Sequence, residues 1–125
     1  MKTVLVVDDE PSMRRVLRGF LERAGLTVVE ARSGVEALAL AHGEQQFDAL
    51  VCDVLMPELS GLDFYDQLLD VAPAMRHRVV FLTGAAHDPA INSPIEQRGV
   101  PLVSKLDDLT LVVDAVRLVL YAPRG

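Results

Sequence analysis

The sequence predicts an α/β domain: a doubly wound (βα)5 sandwich of three layers around a five-stranded parallel sheet in the order 2-1-3-4-5. Two observations carry this. Five short runs rich in Val and Leu are almost continuously apolar, as strands covered on both faces of a parallel sheet must be. The segments between them place apolar residues at helical spacing. Right-handed crossovers between successive strands then make 2-1-3-4-5 the economical topology. With 125 residues, half of them hydrophobic, the chain is expected to be one domain, residues 1–125, with material for a real core.

The expected strands are "TVLVVD" (3–8), "TVVEA" (27–31), "FDALVCD" (47–53), "RVVFLT" (78–83) and "VPLVS" (100–104). The first helix opens at Pro11, aligns Met13, Val16, Leu17, Phe20, Leu21 and Ala24, and stops at Gly25. The second is capped by Ser33, with Glu36 completing a capping box. The third follows Gly61 and aligns Leu62, Tyr65, Leu68, Leu69 and Ala72. In the fourth, Pro89 and Pro94 both fall within "HDPAINSPIEQRG", and a proline inside a helix costs about 3 kcal/mol. The expectation is a long loop over 84–92 and a short helix capped by Ser93, with Pro94 at its first position. The last helix is capped by Asp107, carries Leu109, Val112, Val113, Val116, Val119 and Leu120 on one stripe, and is closed by Pro123.

Composition narrows the function. A net charge of -6, with no cluster of Lys or Arg, argues against binding nucleic acid. Cys52 is the only cysteine, so an internal disulfide and a zinc site of paired cysteines are both excluded, and a reducing cytoplasm is expected. The apolar run at Val4–Val7 ends at acids, far short of a signal-peptide core or a membrane span. His42, His77 and His87 show no ligand spacing and read as surface residues.

"VVDDEP" raises the functional question, because it puts adjacent carboxylates at the mouth of a core strand. In a doubly wound sheet the carboxyl ends of all strands share one edge, and ligands bind there at the switch point. Asp8 and Asp9 end the first strand, Asp53 the third and Thr83 the fourth, while Lys105 follows the fifth. Asp8 and Asp9 alone would read as an ordinary strand-end turn, and Thr83 alone as the cap of a turn. Together the five make a site. Three neighbouring carboxylates need a compensating cation, and oxygen-only ligands at this density suit Mg2+. A lysine and a hydroxyl beside them are the groups that hold a transferring phosphoryl group. Asp53, at the end of the central strand, is the best-placed nucleophile. Cys52 alternates to the other face and reads as a small buried hydrophobe.

"VLVVDDEP", "LVCDVLMPELSG", "VVFLTG" and "VSK" resemble the four signatures of response-regulator receiver domains of two-component signalling, with flavodoxin-like topology. The likeness covers essentially the whole chain, and the intervals from Asp9 to Asp53, Thr83 and Lys105 are similar to the family's spacing. It implies that Asp53 accepts a phosphoryl group from the phosphohistidine of a histidine kinase or phosphotransfer domain. Mg2+ would be held by Asp9, Asp53 and the backbone carbonyl of Leu55, with Asp8 acting through bound water. Thr83 would hydrogen-bond the phosphoryl group and Lys105 would pair with it. The segment "VVFLTGAA" resembles receivers attached to hybrid histidine kinases. The resemblance implies a cytoplasmic signalling domain that promotes only its own phosphorylation and dephosphorylation, and not an enzyme with a separate substrate.

Three positions depart from the family pattern. Leu102 stands where an aromatic is usual, Leu106 follows the lysine where proline is usual, and Leu55 stands where a polar residue is common. A cis bond before a non-proline residue is costly, so the Lys105–Leu106 peptide is expected to be trans. Two other functions compete. One is a pseudo-receiver that works as an interaction module without phosphorylation. The other is a phosphohydrolase of the haloacid-dehalogenase kind, which wants Asp-x-Asp where this chain has Asp8-Asp9-Glu10.

Overall fold

Val4, Leu5, Val6 and Val7 are all buried and form an inner strand of the sheet, in a computed structural model that describes residues 1–121. The strands are β1 (Thr3–Val7), β2 (Thr27–Ala31), β3 (Ala49–Asp53), β4 (Val79–Thr83) and β5 (Leu102–Ser104). All pair in parallel, in the order β2-β1-β3-β4-β5. Helices α1 (Pro11–Arg23), α2 (Gly34–Ala41), α3 (Gly61–Val71), α4 (Pro89–Gln97) and α5 (Thr110–Tyr121) cover both faces, and a 3-10 turn at Pro73–His77 leads into β4. The expected topology is the observed one.

Alternation along each strand divides the core in two. Val4, Val6, Val51, Val80 and Leu82 pack with Leu17 and Leu21 of α1 and Val112 and Val116 of α5. Leu5, Val7, Leu50, Cys52 and Phe81 pack with Phe64, Tyr65 and Leu68 of α3 and Ile95 of α4. Tyr65 meets Phe81 edge to face at 5.8 Å, and its hydroxyl donates to the Arg76 carbonyl at 2.9 Å. Cys52 lies on the opposite side of the sheet from Val51, fully buried as expected. His42, His77 and His87 are exposed.

The helix signals hold at α1, where Pro11 opens the helix and the backbone reverses at Gly25 with φ 85°, and at α2, where the Ser33 hydroxyl accepts the Glu36 N–H at 3.0 Å. Two expectations fail. α4 starts at Pro89, not at Pro94, so the connection from β4 spans only 84–88 and Pro94 lies inside the helix. Asp88 provides a complete N-terminus: its carboxylate accepts the Ala90 N–H at 2.9 Å and its carbonyl accepts those of Ile91 and Asn92. The carbonyl that Pro94 leaves without a partner belongs to Ala90, an exposed residue that water can serve. Arg98 strengthens the far end, donating to the Pro94 carbonyl at 2.9 Å and pairing with Asp66 of α3 at 2.8 Å. At α5 the carboxylate that accepts the Thr110 N–H is Asp108, one residue beyond the expected Asp107. The expected stop at Pro123 lies outside the described residues. No helix among the described residues is long and apolar enough to cross a membrane.

Candidate functional site

β1 and β3 are neighbours at the centre of the sheet, so Asp8, just past β1, and Asp53, the last residue of β3, open onto the same edge. Both carboxylates are buried, at 1% and 4% exposure, whereas Asp9 and Glu10 are exposed. Lys105 reaches in from beyond β5, its backbone tied to β4 by its N–H to the Thr83 carbonyl at 2.9 Å. Its ammonium stands 3.1 Å from Asp8 Oδ2, 3.1 Å from Asp53 Oδ2 and 3.2 Å from Glu10 Oε1. Four of the five expected residues, Asp8, Asp9, Asp53 and Lys105, thus come together.

Thr83 sits at the end of β4, wholly buried, with its hydroxyl accepting the Ala85 N–H at 3.1 Å. It caps a turn, and its own hydroxyl hydrogen is left to donate. One strand over, the Ser104 hydroxyl accepts the Leu106 N–H at 3.1 Å in a matching turn. A proline at this position would have no N–H to give, so the bond depends on the departure at Leu106. The Lys105–Leu106 peptide is trans, as expected. Leu106 and Leu55 are both exposed, and Leu102 is half-buried beneath.

Backbone donors shape the carboxylates. Asp8 Oδ1 accepts the Glu10 N–H at 2.9 Å, and Asp53 Oδ1 accepts the Leu55 N–H at 3.2 Å. Below Asp53 the chain doubles back closely: the Gly61 N–H reaches the Val54 carbonyl at 2.8 Å. A Cβ at Gly61 would fall on the Asp53 carbonyl oxygen and 2.9 Å from the Val54 Cα, so only glycine fits. The same loop holds Glu58 in the left-handed region at φ 69°.

The charges do not balance. Burial, then the neighbouring Asp8 charge, lift the Asp53 carboxyl from 3.8 to about 6, against the pull of Lys105 and the Leu55 N–H. Burial likewise raises Asp8. Burial opposes the Lys105 ammonium, but the hydrogen bond it donates to Asp53 and the negative charges of Asp53 and Asp8 outweigh it and hold its pKa above the ordinary lysine value. Asp8 Oδ2 is buried with no hydrogen bond, because Lys105 lies close to it but out of line. One ligand oxygen from each of Asp8, Asp9, Glu10 and Asp53 lies within 4.8 Å of the others. An orphaned carboxylate oxygen in an all-oxygen donor set fits a hard divalent cation. Glu10 joins the site with no spacing or motif in the sequence to mark it as a partner of Lys105. Its place beside Asp9 was visible, but its reach to Lys105 across 95 residues was not.

The match to known proteins is consistent along the chain. The sequence profile of the response regulator receiver domain fits residues 4–117. The response regulator receiver protein CpdR of Brucella abortus is 30% identical, covering 98% of this chain and 99% of that protein. Other relatives are longer: the chain spans 8% of Histidine kinase 3 of Arabidopsis thaliana, at 35% identity over 62% of the chain, and 28% of the regulator PhoP of Bacillus subtilis, at 45% over 54%. The receiver domain of a histidine kinase from Syntrophus aciditrophicus superposes with a TM-score of 0.85 at 26% identity, covering 100% of this chain and 95% of that one. The response regulator TrrA of Thermotoga maritima, solved with Mg2+ and BeF, gives 0.80 at 28%, covering 95% and 99%. With its fold, its acidic edge and its lysine all accounted for, the chain belongs to the response regulator receiver domains, the phosphoacceptor modules of two-component signalling.

Proposed function

We propose that Asp53 is the phosphoacceptor, that residues 1–125 act as one receiver domain, and that the donor is the phosphohistidine of a histidine kinase or a phosphotransfer domain in the cytoplasm. The observation that carries this is the pair of buried carboxylates, Asp53 and Asp8, sharing one ammonium and leaving Asp8 Oδ2 without a hydrogen bond. An Asp53 oxygen attacks phosphorus as the phosphorus–nitrogen bond to the donor imidazole breaks, and the imidazole nitrogen leaves with the bonding electrons. Lys105, already 3.1 Å from Asp53 Oδ2, places its positive charge beside the incoming phosphoryl oxygens. The Thr83 hydroxyl, which accepts the Ala85 N–H and keeps its own hydrogen to donate, would bond the phosphoryl group once it is present.

Mg2+ would be held by Asp9, Asp53 and the Leu55 carbonyl, with Asp8 acting through water, and would supply charge neutralisation for the transferring group. Around it, the protein holds Asp53 by the Leu55 N–H and keeps the carboxylate buried among β1, β3 and β4. The only chemistry is the domain's own phosphorylation and its reversal. The likeness to a receiver from a histidine kinase supports a place within or beside such a kinase.

Incubation with a small acyl-phosphate donor and Mg2+, followed by intact-mass measurement, tests the reading. The expected result is a gain of one phosphoryl group that is absent in Asp53→Asn. A full gain in Asp53→Asn, or none in the parent protein, overturns it.

A further inference from the structure

Arg14 lies on α1, one helical turn after Glu10, and its guanidinium folds back under the acidic turn. Its Nη1 donates to the Asp8 backbone carbonyl at 2.6 Å, and its Nε to Glu30 Oε1 at 3.2 Å. The side chain is 15% exposed. Glu30, on β2, accepts at its other oxygen from Arg18 at 2.8 Å, so both ends of that carboxylate are occupied. The Asp8 N–H is bonded to the Ala31 carbonyl at 3.1 Å. The sheet therefore anchors the Val7–Asp8 peptide, and Arg14 holds the carbonyl of the Asp8–Asp9 peptide that follows it.

We propose that Arg14, held in place by Glu30, is a positioning residue that fixes the Asp8–Asp9 peptide and thereby aims the acidic turn at its cation. The proposal rests on the reading of this edge as a Mg2+ site. A guanidinium suits the task because its planar fork can satisfy a carbonyl and a carboxylate at once. A freed Asp8 carbonyl could rotate, and the two carboxylates that flank this peptide would turn with it.

The sign of the effect separates positioning from simple electrostatics. Coulomb's law alone says that removing a cation from an acidic cluster strengthens Mg2+ binding. Positioning says the reverse, and loss of a group that orients metal ligands typically weakens affinity by about tenfold or more.

Two measurements on Arg14→Ala, Arg14→Lys and Glu30→Gln, with Asp9→Asn alongside, decide the matter. The first is the apparent Mg2+ affinity from melting temperature against Mg2+ concentration. The second is amide exchange at Asp9 and Glu10 in metal-free protein. The expected result is about tenfold weaker Mg2+ binding in Arg14→Ala, a smaller loss in Arg14→Lys and Glu30→Gln, and faster exchange at Asp9 and Glu10 in Arg14→Ala. Unchanged or tighter Mg2+ binding in Arg14→Ala, or unchanged exchange at both amides, overturns the proposal whatever the melting temperature does. If the parent binds no Mg2+, the metal reading fails with it; if the parent binds Mg2+, Asp9→Asn does not, and Arg14→Ala matches the parent, only the role of Arg14 is lost.

Discussion

The two edges of the sheet are made by the same strands and differ in one respect that decides their chemistry. At the amino edge a cleft of about 330 Å3 opens among Gln46, Phe47, Asp48, Leu68, Met75 and Arg78. Its charged groups are served: the Asp48 carboxylate accepts the Thr3 N–H at 2.8 Å, and the Arg78 guanidinium donates to the Leu120 carbonyl at 2.6 Å. At the carboxyl edge the acids crowd around one ammonium, and one buried oxygen goes without a hydrogen bond. The edge with the cleft is the quieter one. Unsatisfied charge, not volume, marks where an ion or a phosphoryl group has something to gain.

The widest contrast should come from Lys105→Met. Breaking a buried ion pair by removing one partner costs about 3 kcal/mol, so urea unfolding at pH 7 with a chelator present should show a loss of that order. Gln46→Ala at the other edge should stay within about 0.5 kcal/mol. Equal losses would erase the distinction. Added Mg2+ comes next: it should stabilise the parent by about 1–3 kcal/mol when well above its dissociation constant. Asp9→Ala should abolish that gain, while Asp48→Asn keeps it. A gain that follows Asp48 instead would move the ion to the cleft.

A smaller effect should appear with pH in metal-free protein. Asp53 loses its proton near 3.8 in the unfolded chain and near 6 in the folded one, so between those values the folded state holds the extra proton. Stability is therefore greatest below about pH 4 as far as this group is concerned, and declines as pH rises through about 6. Asp8 acts in the same direction. Asp53→Asn should flatten the decline, and Mg2+ should do the same by favouring the ionised carboxylate. A slope unchanged by either would mean that other groups govern it. The smallest change concerns Glu58, at φ 69°. Glu58→Gly should raise stability by up to about 1 kcal/mol, since a left-handed conformation costs a side chain what it does not cost glycine. Lower stability in that variant would mean the Glu58 side chain makes a contact worth more than the strain.

What could be read from the sequence followed from periodicity and from the one-edge rule. Runs such as Val4–Val7 and Ala49–Asp53 announced strands buried on both sides, and the common edge gathered Asp8, Asp53 and Lys105 from far-apart positions. Two kinds of feature stayed hidden. The start of α4 turned on whether one unsatisfied carbonyl, that of Ala90, would meet solvent, which depends on the finished surface. The supporting residues Arg14, Glu10 and Ser104 act through long side chains or single turns that cross between elements. No repeat or spacing encodes where an arginine will fold back. The acids that carry the charge were readable, and the groups that hold them still were not.

Gly61 gives Asp53 a neighbour with no spare room. Most buried positions can absorb a methyl group by small shifts spread through soft side chains, but here the obstacle is the backbone of Asp53 and Val54 itself. A methyl group at residue 61 would have to displace the stretch of main chain that bears Asp53, the proposed acceptor. The smallest possible lesion at this position would therefore mis-set the Asp53 carboxylate along with weakening the fold, so a variant of residue 61 that still folds but takes up no phosphoryl group is the phenotype to look for when screening α3.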